Sequence, residues 1–450
     1  MGNSKRHFLL ILLLAGFFST LAQEKLTFQE VDRMSYKLFE KQDWKPLKKL
    51  SKQAFSEGFD YYYLRMRAGI ACFETKQYFD AADNFEKALS FNSTDPVAGE
   101  YLYYCWINLN NSVAAIEVYE QLSPSLQKKM ESTLPKMRQI NLEGGPLFSN
   151  QEEIFNELDL DGEGNIYGEA DITQNGYYFS AGFGWQFKKG FEIFAAYSLV
   201  SLNKIQEVKI QDTPALSYQY PLTQQQFYMS GAIPVGRNFT IIPAANFILQ
   251  QYNMVVPKFN ESTVSYLFPV ENFKFNSYIG YLSIAKDFQI VKTSLFGAYS
   301  NLNEETQYQA GLKVILFPLQ NLNFYLASTF LDHNNGSQNN LVFGQMIGGR
   351  VLKPLWAEIN ATFGQMTNYY DNQAFTVYNF AGDMNFKGSA KLIYLVNSNI
   401  KITAEYLYFS RVGEYLVYEN TTGDPLNPHP VTMTQEFNNQ LVLLGINWKF

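Results

Sequence analysis

From Asn165 to Phe450, apolar and polar residues alternate in segments that recur at regular spacing. In the last of them, Gln440 to Phe450, Val442, Leu444, Ile446, Trp448 and Phe450 share one parity, while Gly445, Asn447 and Lys449 take the other. Side chains alternate across a strand, so this segment has one greasy face and one small or polar face. The same reading holds for Tyr177, Phe179, Ala181, Phe183, Trp185 and Phe187 against Ser180, Gly182, Gly184 and Gln186. It holds again for Leu355, Ala357, Ile359, Ala361 and Phe363 against Glu358, Asn360 and Thr362. The pattern predicts about fourteen strands over 165–450, beginning with 165–172 and 177–187 and ending with 399–418 and 438–450. Tight links (Lys188-Lys189-Gly190, Gly236-Arg237-Asn238, Asp287, Pro318 to Asn321, Leu352, Asn397-Ser398) alternate with longer ones at 204–224, 252–273, 334–338, 367–383 and 419–437, and with shorter members at 173–176 and 302–304. One lipid-facing and one polar face, with short turns at one end and longer loops at the other, is the plan of a transmembrane β-barrel. An even strand count places both ends of the barrel region on the short-turn side.

Upstream the period changes. Residues 26–137 are rich in Lys, Glu, Ala and Leu at helical spacing. Phe79 to Leu89 resembles the second helix of a tetratricopeptide repeat, with Gly69 as the small residue at the helix crossing and Tyr78 as the aromatic between helices. Steps of 34 from Ala81 reach Leu47 and Ala115, and the companions are Trp44, Tyr78 and Ser112, then Ser51, Phe85 and Tyr119, then Ala54, Ala88 and Leu122. The resemblance implies three repeats, about 26–59, 60–93 and 94–127. Leu47 replaces the packing alanine in the first, and the third lacks the tyrosine. Such an array offers a concave face to a protein partner. Cys72 and Cys105, the two cysteines of the chain, fall on first helices and are expected in the core.

Two further segments complete the domain plan. Lys5, Arg6 and His7 precede the apolar run Phe8 to Phe18 and the small-x-small site Thr20-Leu21-Ala22, which predicts a secretory leader over 1–22. Gly144-Gly145-Pro146, followed by Glu152, Glu153, Glu157, Asp159, Asp161 and Glu163, reads as a linker over 141–164. The acids around Gly162 and Gly164 lack the twelve-residue calcium-loop spacing and read as a solvated turn. The expected domains are therefore 1–22 leader, 23–140 helical, 141–164 linker and 165–450 barrel: an α + β chain with the helical part in the periplasm of a Gram-negative bacterium and the barrel in its outer membrane.

Composition sharpens this plan. Aromatics are 16% of the 450 residues and charged residues only 17%, yet outside the amino terminus there is no apolar run of the ~18 residues that a membrane helix needs. A net charge of −7 with no basic stripe excludes nucleic acid as a partner. No metal-ligand spacing and no phosphate-binding loop occur, so no cofactor is expected. His333 and His429, the two histidines after the leader, are read as loop residues. No catalytic residue is assigned.

The ending Gly445-x-x-Trp448-x-Phe450 resembles the C-terminal insertion signal of bacterial outer-membrane barrels, with Leu443 where that signal prefers a polar residue. The order of parts is similar to that of polysaccharide-export porins, which carry more repeats, and to YaiO-type outer-membrane proteins. Charges on the inward faces include Lys313, Arg350, Glu358, Lys391, Lys401 and Glu405. Distances from the tight turns put Glu358, Lys391 and Glu405 at one height on neighbouring strands, which predicts a Glu–Lys–Glu ladder with Lys391 shared. These observations lead to a non-enzymatic channel or export porin contacting outer-membrane lipid. Its cargo would be a polysaccharide or small solute, and its helical domain would recruit a periplasmic protein. A scaffold with a plugged barrel is the second expectation, and an outer-membrane lipid hydrolase a distant third.

Overall fold

A computed structural model describes residues 26–450 apart from 156–164, 188–189, 211–215, 236–237, 261, 263–264, 337, 380–381 and 420–428. The leader expected at 1–22 and the acidic run from Glu157 to Glu163 lie outside the described residues. The chain divides into two compact units, residues 1–105 and 106–450.

The first unit is built from antiparallel helix pairs. Helices α1 (Phe28–Glu40) and α2 (Trp44–Ser56) are followed by α3 (Tyr62–Glu74) and α4 (Tyr78–Phe91), then by α5 (Pro96–Asn108) and α6 (Ser112–Gln121), which run on into the second unit. The starts at 28, 62 and 96, and at 44, 78 and 112, are each 34 residues apart. Thr27 caps α1 in a reciprocal box with Glu30, which satisfies two orphan backbone donors. Inside, Leu47, Ala81, Phe85 and Ala88 are fully buried. A Cβ on Gly69 would stand 2.8 Å from the Phe85 ring, so the close approach of α3 and α4 requires glycine there. Tyr78 meets Phe73 edge-on, with ring centroids 5.5 Å apart. In the second unit Ala115 is fully buried on α6, and Tyr119 is half-buried on the same helix. Cys72 and Cys105 are buried free thiols, and burial pushes the Cys72 thiol up to about 12.

In the second unit, fourteen antiparallel strands close into a barrel. They are β1 (Arg138–Ser149), β2 (Asn165–Gln186), β3 (Glu192–Ile210), β4 (Leu216–Pro234), β5 (Phe239–Val255), β6 (Val270–Phe288), β7 (Val291–Ser300), β8 (Gln307–Leu316), β9 (Phe324–Asn334), β10 (Asn339–Leu352), β11 (Leu355–Phe363), β12 (Asp383–Leu395), β13 (Ile400–Glu419) and β14 (His429–Lys449). Closure is made by β1 on β14, with Gln139 opposite Lys449 and Ile140 opposite Trp448. Phe450 exchanges backbone hydrogen bonds with Arg138.

The strand count agrees with the sequence pattern, but the strands are not the expected set. The strands expected at 165–172 and 177–187 merge into one, β2, which crosses the polar stretch 173–176 with a register shift between Thr173 and Asn175 and ends at Gln186. The segment read as a linker supplies β1 instead. Its Gly144-Gly145-Pro146 looks like a turn, yet the glycines are there because β1 lies close to its neighbours. A Cβ on Gly145 would fall 1.7 Å from the Val442 carbonyl oxygen. Pro146 sits where the pairing with β14 is interrupted, between Gly144 and Leu147. Strands also run past their expected ends into 204–224 and 419–437, where pairing continues across stretches read as links; in β4, Tyr220 and Leu222 are buried there while Ser217 and Gln219 are exposed.

The outer face is apolar. Tyr177, Phe179, Phe183, Trp185, Phe227, Met229, Leu282, Leu295, Ile359, Leu444 and Trp448 are all exposed. From Tyr177 to Phe187 the exposed band on β2 runs about 33 Å along the strand, about 25 Å along the axis of a barrel with strands tilted by ~40°. Described loops at one end are tight, and this end carries Arg138 and Phe450. It is called the turn end below, and the opposite end the loop end.

Candidate functional site

The loop between β11 and β12, expected as an external link at 367–383, turns into the barrel. Its short strands Tyr369–Asp371 and Thr376–Tyr378 form a hairpin, with Tyr369 opposite Tyr378. The segment has the composition of a core: Tyr369, Tyr370, Val377 and Tyr378 are buried, as is Met366 just before it. The tip holds Asn372, Gln373 and Ala374 at φ of 51°, 62° and 67°. Left-handed backbone costs an L-residue about 1–2 kcal/mol. This strained turn is held from outside: Asn246 Nδ2 donates to the Ala374 carbonyl at 2.9 Å and the Tyr228 hydroxyl to the Gln373 carbonyl at 3.2 Å.

The hairpin touches most of the barrel wall. Lys387 on β12 forms an ion pair with Asp371, its ammonium 5.0 Å from the Tyr378 ring centroid. Tyr369 and Tyr378 pack with Leu331, Val342, Met384, Leu407, Phe409 and Leu443, which come from β9, β10, β12, β13 and β14. Tyr370 and Val377 pack with Ile248 of β5 and Ile279 of β6. At the tip, Phe375 meets Tyr228 at 5.1 Å and Phe194 at 6.1 Å between ring centroids. Phe194 is two residues from the turn end of β3, so the hairpin reaches almost the full depth of the lumen.

His333 belongs to this arrangement and is not the loop histidine expected from sequence. It is fully buried on the inward face of β9. Its Nε2 lies 2.6 Å from the Thr367 carbonyl, so Nε2–H donates, and Nδ1, 3.3 Å from Gln309 Nε2, accepts. Both ring nitrogens are thereby engaged in holding the base of the inturned loop. His429 opens β14.

Cavities remain around the hairpin. A chamber of about 430 Å³ lies toward the turn end. One of about 340 Å³ lies beside β12–β14, and one of about 270 Å³ lies against β6–β11. The first two share Glu143, Asn372 and Phe375.

The lumen charges fall as follows. Glu358 lies directly opposite Lys391, and Lys391 opposite Glu405. Lys391 Nζ is 3.0 Å from Glu405 Oε2. Glu358 instead accepts a hydrogen bond from the Tyr325 hydroxyl, and among the described residues it makes no ion pair. The three expected ladder residues are thus adjacent in register, but Lys391 is not shared. Lys313 lines the third chamber with Asp371. Arg350 sits near the turn end, its guanidinium 4.7 Å from the Trp356 ring centroid and 3.3 Å from Asn323 Oδ1. Lys401 is opposite Asn447 of β14. Gly445, Trp448 and Phe450 all lie in the closing seam of β14, where a Cβ on Gly445 would stand 2.5 Å from Thr403 Oγ1.

Sequence reasoning did not single out Glu143, Lys387, Arg411, Asp371 or Tyr378, all lining the same chamber as Lys391. The parity of Lys391 and Glu405 would have found Lys387 and Arg411. Asp371 and Tyr378 were hidden in a loop expected to face solvent, and Glu143 in the expected linker. No cluster of three or more metal-ligating side chains occurs among the described residues.

No family model matches the chain, and no curated protein matches it. Among solved structures, it is similar to a FadL homologue of Pseudomonas aeruginosa at 9% identity and TM-score 0.44, over 79% of this chain and 94% of that one. It is also similar to the toluene transporter TodX of Pseudomonas putida (10%, 0.33, 71% and 91%) and to the outer membrane protease OmpT of Escherichia coli (12%, 0.24, 70% and 97%). At these identities and TM-scores the likenesses carry no argument about function.

Proposed function

We propose that this chain is a non-enzymatic channel of a Gram-negative outer membrane, closed at rest by its lumen hairpin and opened when the hairpin is displaced. The observation that carries the reading is an inturned hairpin occupying a closed barrel whose outer face is apolar. A band about 25 Å tall matches the apolar height of such barrels. Packed Tyr, Met and Leu side chains fill the middle of the lumen, and carboxylates, amides and lysines line the chambers that remain around them. On this reading the turn end faces the periplasm. The helical repeats, of tetratricopeptide type by their period of 34 and by the packing of Gly69 against Phe85, precede β1 in the chain and belong to the periplasm. They recruit a periplasmic protein, and the cargo is a small polar solute or a saccharide.

The second reading, a scaffold whose plug never leaves, is favoured by the number of strands that hold the hairpin. Conductance in planar bilayers separates the two: openings that follow displacement of the hairpin support the channel, and a barrel that stays silent supports the scaffold.

Insertion is tested through the closing seam. Deleting Trp448-Lys449-Phe450 removes the pairing of β14 with Ile140 and Gln139 and the two backbone bonds between Phe450 and Arg138. An open barrel leaves unpaired backbone in lipid, at several kcal/mol per group. The truncated chain should lose both outer-membrane fractionation and heat-modifiable mobility. Retention of both would count against a membrane-spanning barrel.

A further inference from the structure

We propose that the turn-end chamber binds a small organic ammonium ion and makes the lumen select for cationic solutes. The inference rests on the channel reading for selectivity, but not for binding. The 430 Å³ chamber combines two features that together describe such a ligand. Its charged lining groups are Glu143 and Glu192, and among the described residues no lysine or arginine lines it. Neither carboxylate makes an ion pair among the described residues. Glu143 accepts from the Tyr178 hydroxyl at 3.3 Å, and Glu192 from Gln139 Nε2 at 3.5 Å. Beside them stand three rings in mutual contact, Phe194, Tyr228 and Phe375, with centroids 5.1–6.2 Å apart. Ring faces attract a cation, best where water is excluded, and a partly desolvated carboxylate gains from a counter-ion. An anionic ligand would meet two like charges here; Lys391 and Lys449 act on Glu143 and Glu192 through space, but neither pairs with them nor lines this chamber.

A separate observation comes from the adjoining chamber, which shares Glu143, Asn372 and Phe375 with this one. There Asn439, only 4% exposed, holds Oδ1 without a hydrogen-bond partner. An orphan acceptor in the adjoining chamber suits a solute that brings a donor, as the hydroxyl of choline or a primary ammonium does and a carboxylate does not. Of the charges lining that chamber, Lys387 and Lys391 are already paired with Asp371 and Glu405. The other charges lining it are Glu143, Glu358 and Arg411, so the two chambers together, with Glu192, carry an acidic excess.

The test is calorimetric titration of the folded full-length barrel in detergent with choline and with 3,3-dimethyl-1-butanol, its neutral isostere. Choline should bind and the alcohol should not. Glu143→Gln and Phe375→Ala should each weaken choline by about tenfold or more, while Thr329→Ala, in the third chamber, should leave it unchanged. Each variant must keep its heat-modifiable mobility. In bilayers, the reversal potential across a KCl gradient should carry the sign of cation preference and move toward zero in Glu143→Gln. Equal binding of the alcohol, no choline binding by the folded barrel, or unchanged affinity in both site variants would overturn the proposal. A barrel that binds choline but never conducts would overturn the channel reading and leave the site standing.

Discussion

Excising the lumen hairpin should turn a nearly silent barrel into a constantly open one. Replacing residues 368–379 by a short Gly-Ser linker leaves every barrel strand intact, and Phe363 and Phe386 already face each other across β11 and β12, so a short link can span the gap. The barrel is closed by its own ladder from β1 to β14, and none of that pairing depends on the hairpin. What is lost is the core formed by Tyr369, Tyr370, Val377 and Tyr378, which merges the three chambers into one lumen. Fourteen strands approach the size at which barrels hold an aqueous channel. Conductance in planar bilayers should therefore rise by about tenfold or more over the intact protein, with heat-modifiable mobility retained. An excised barrel as silent as the intact one would show that the wall itself closes the lumen.

The second large effect is expected at Lys387. Its side chain is 5% exposed and that of Asp371 24%, so the pair is largely shielded from water. Removing one partner of a buried pair leaves the other charge uncompensated, at about 3–5 kcal/mol, and partial exposure of Asp371 points to the lower end. Lys387→Met keeps the length of the chain and removes the charge. The Asp371 carboxylate, left without its partner among buried Tyr369 and Tyr378, then gains by moving to water and takes the hairpin with it. About 3 kcal/mol corresponds to a shift of roughly a hundredfold in the docked-to-undocked ratio. Open probability should rise accordingly. Lys387→Met combined with Asp371→Asn should return most of the closure, because no charge is then left unpaired. An unchanged open probability in Lys387→Met would remove the ion pair from the closing mechanism, and failure of the double variant to recover would assign the effect to lost packing.

The wall of the barrel was legible in the sequence, and its contents were not. A period of two is written wherever lipid lies on one side and polar groups on the other. It therefore gave the lipid-facing residues of β2, β11, β13 and β14 and put Glu358, Lys391 and Glu405 at one height. Register follows from strand parity and the tight turns, but the direction in which a side chain ends does not. Glu358 turned to Tyr325, which the pattern could not foresee. Two places mislead: the loop-end extensions, where paired strand continues into stretches read as links, and β1, where a Gly-Gly-Pro run looks like a turn until the crowding of β14 is seen. The two misplacements compensated in the strand count, since splitting β2 added one strand and reading β1 as a linker removed one.

The inturned loop left a different trace. Tyr369, Tyr370, Phe375, Val377 and Tyr378 within so short a stretch are too apolar for a solvated loop, and a segment of that composition needs a place to bury itself. The barrel interior is the available place, and His333, at the loop end of β9, is covered as a consequence. The helical region was the most legible part. A 34-residue period is set by local helix length and by close crossings, and Gly69 facing Phe85 is where a crossing leaves its mark on the sequence.

The central claim is that the hairpin's position in the lumen sets the conducting state, and a reversible tether tests it most directly. Asn246 on β5 and Ala374 at the tip are in contact through the Asn246 amide. Cysteines at both positions, in a chain carrying Cys72→Ala and Cys105→Ala, should form a disulfide in the folded barrel. Single-channel recording should then find the oxidised protein silent and openings restored on reduction with dithiothreitol. Openings that are the same before and after reduction, or absent in both states, would contradict the account.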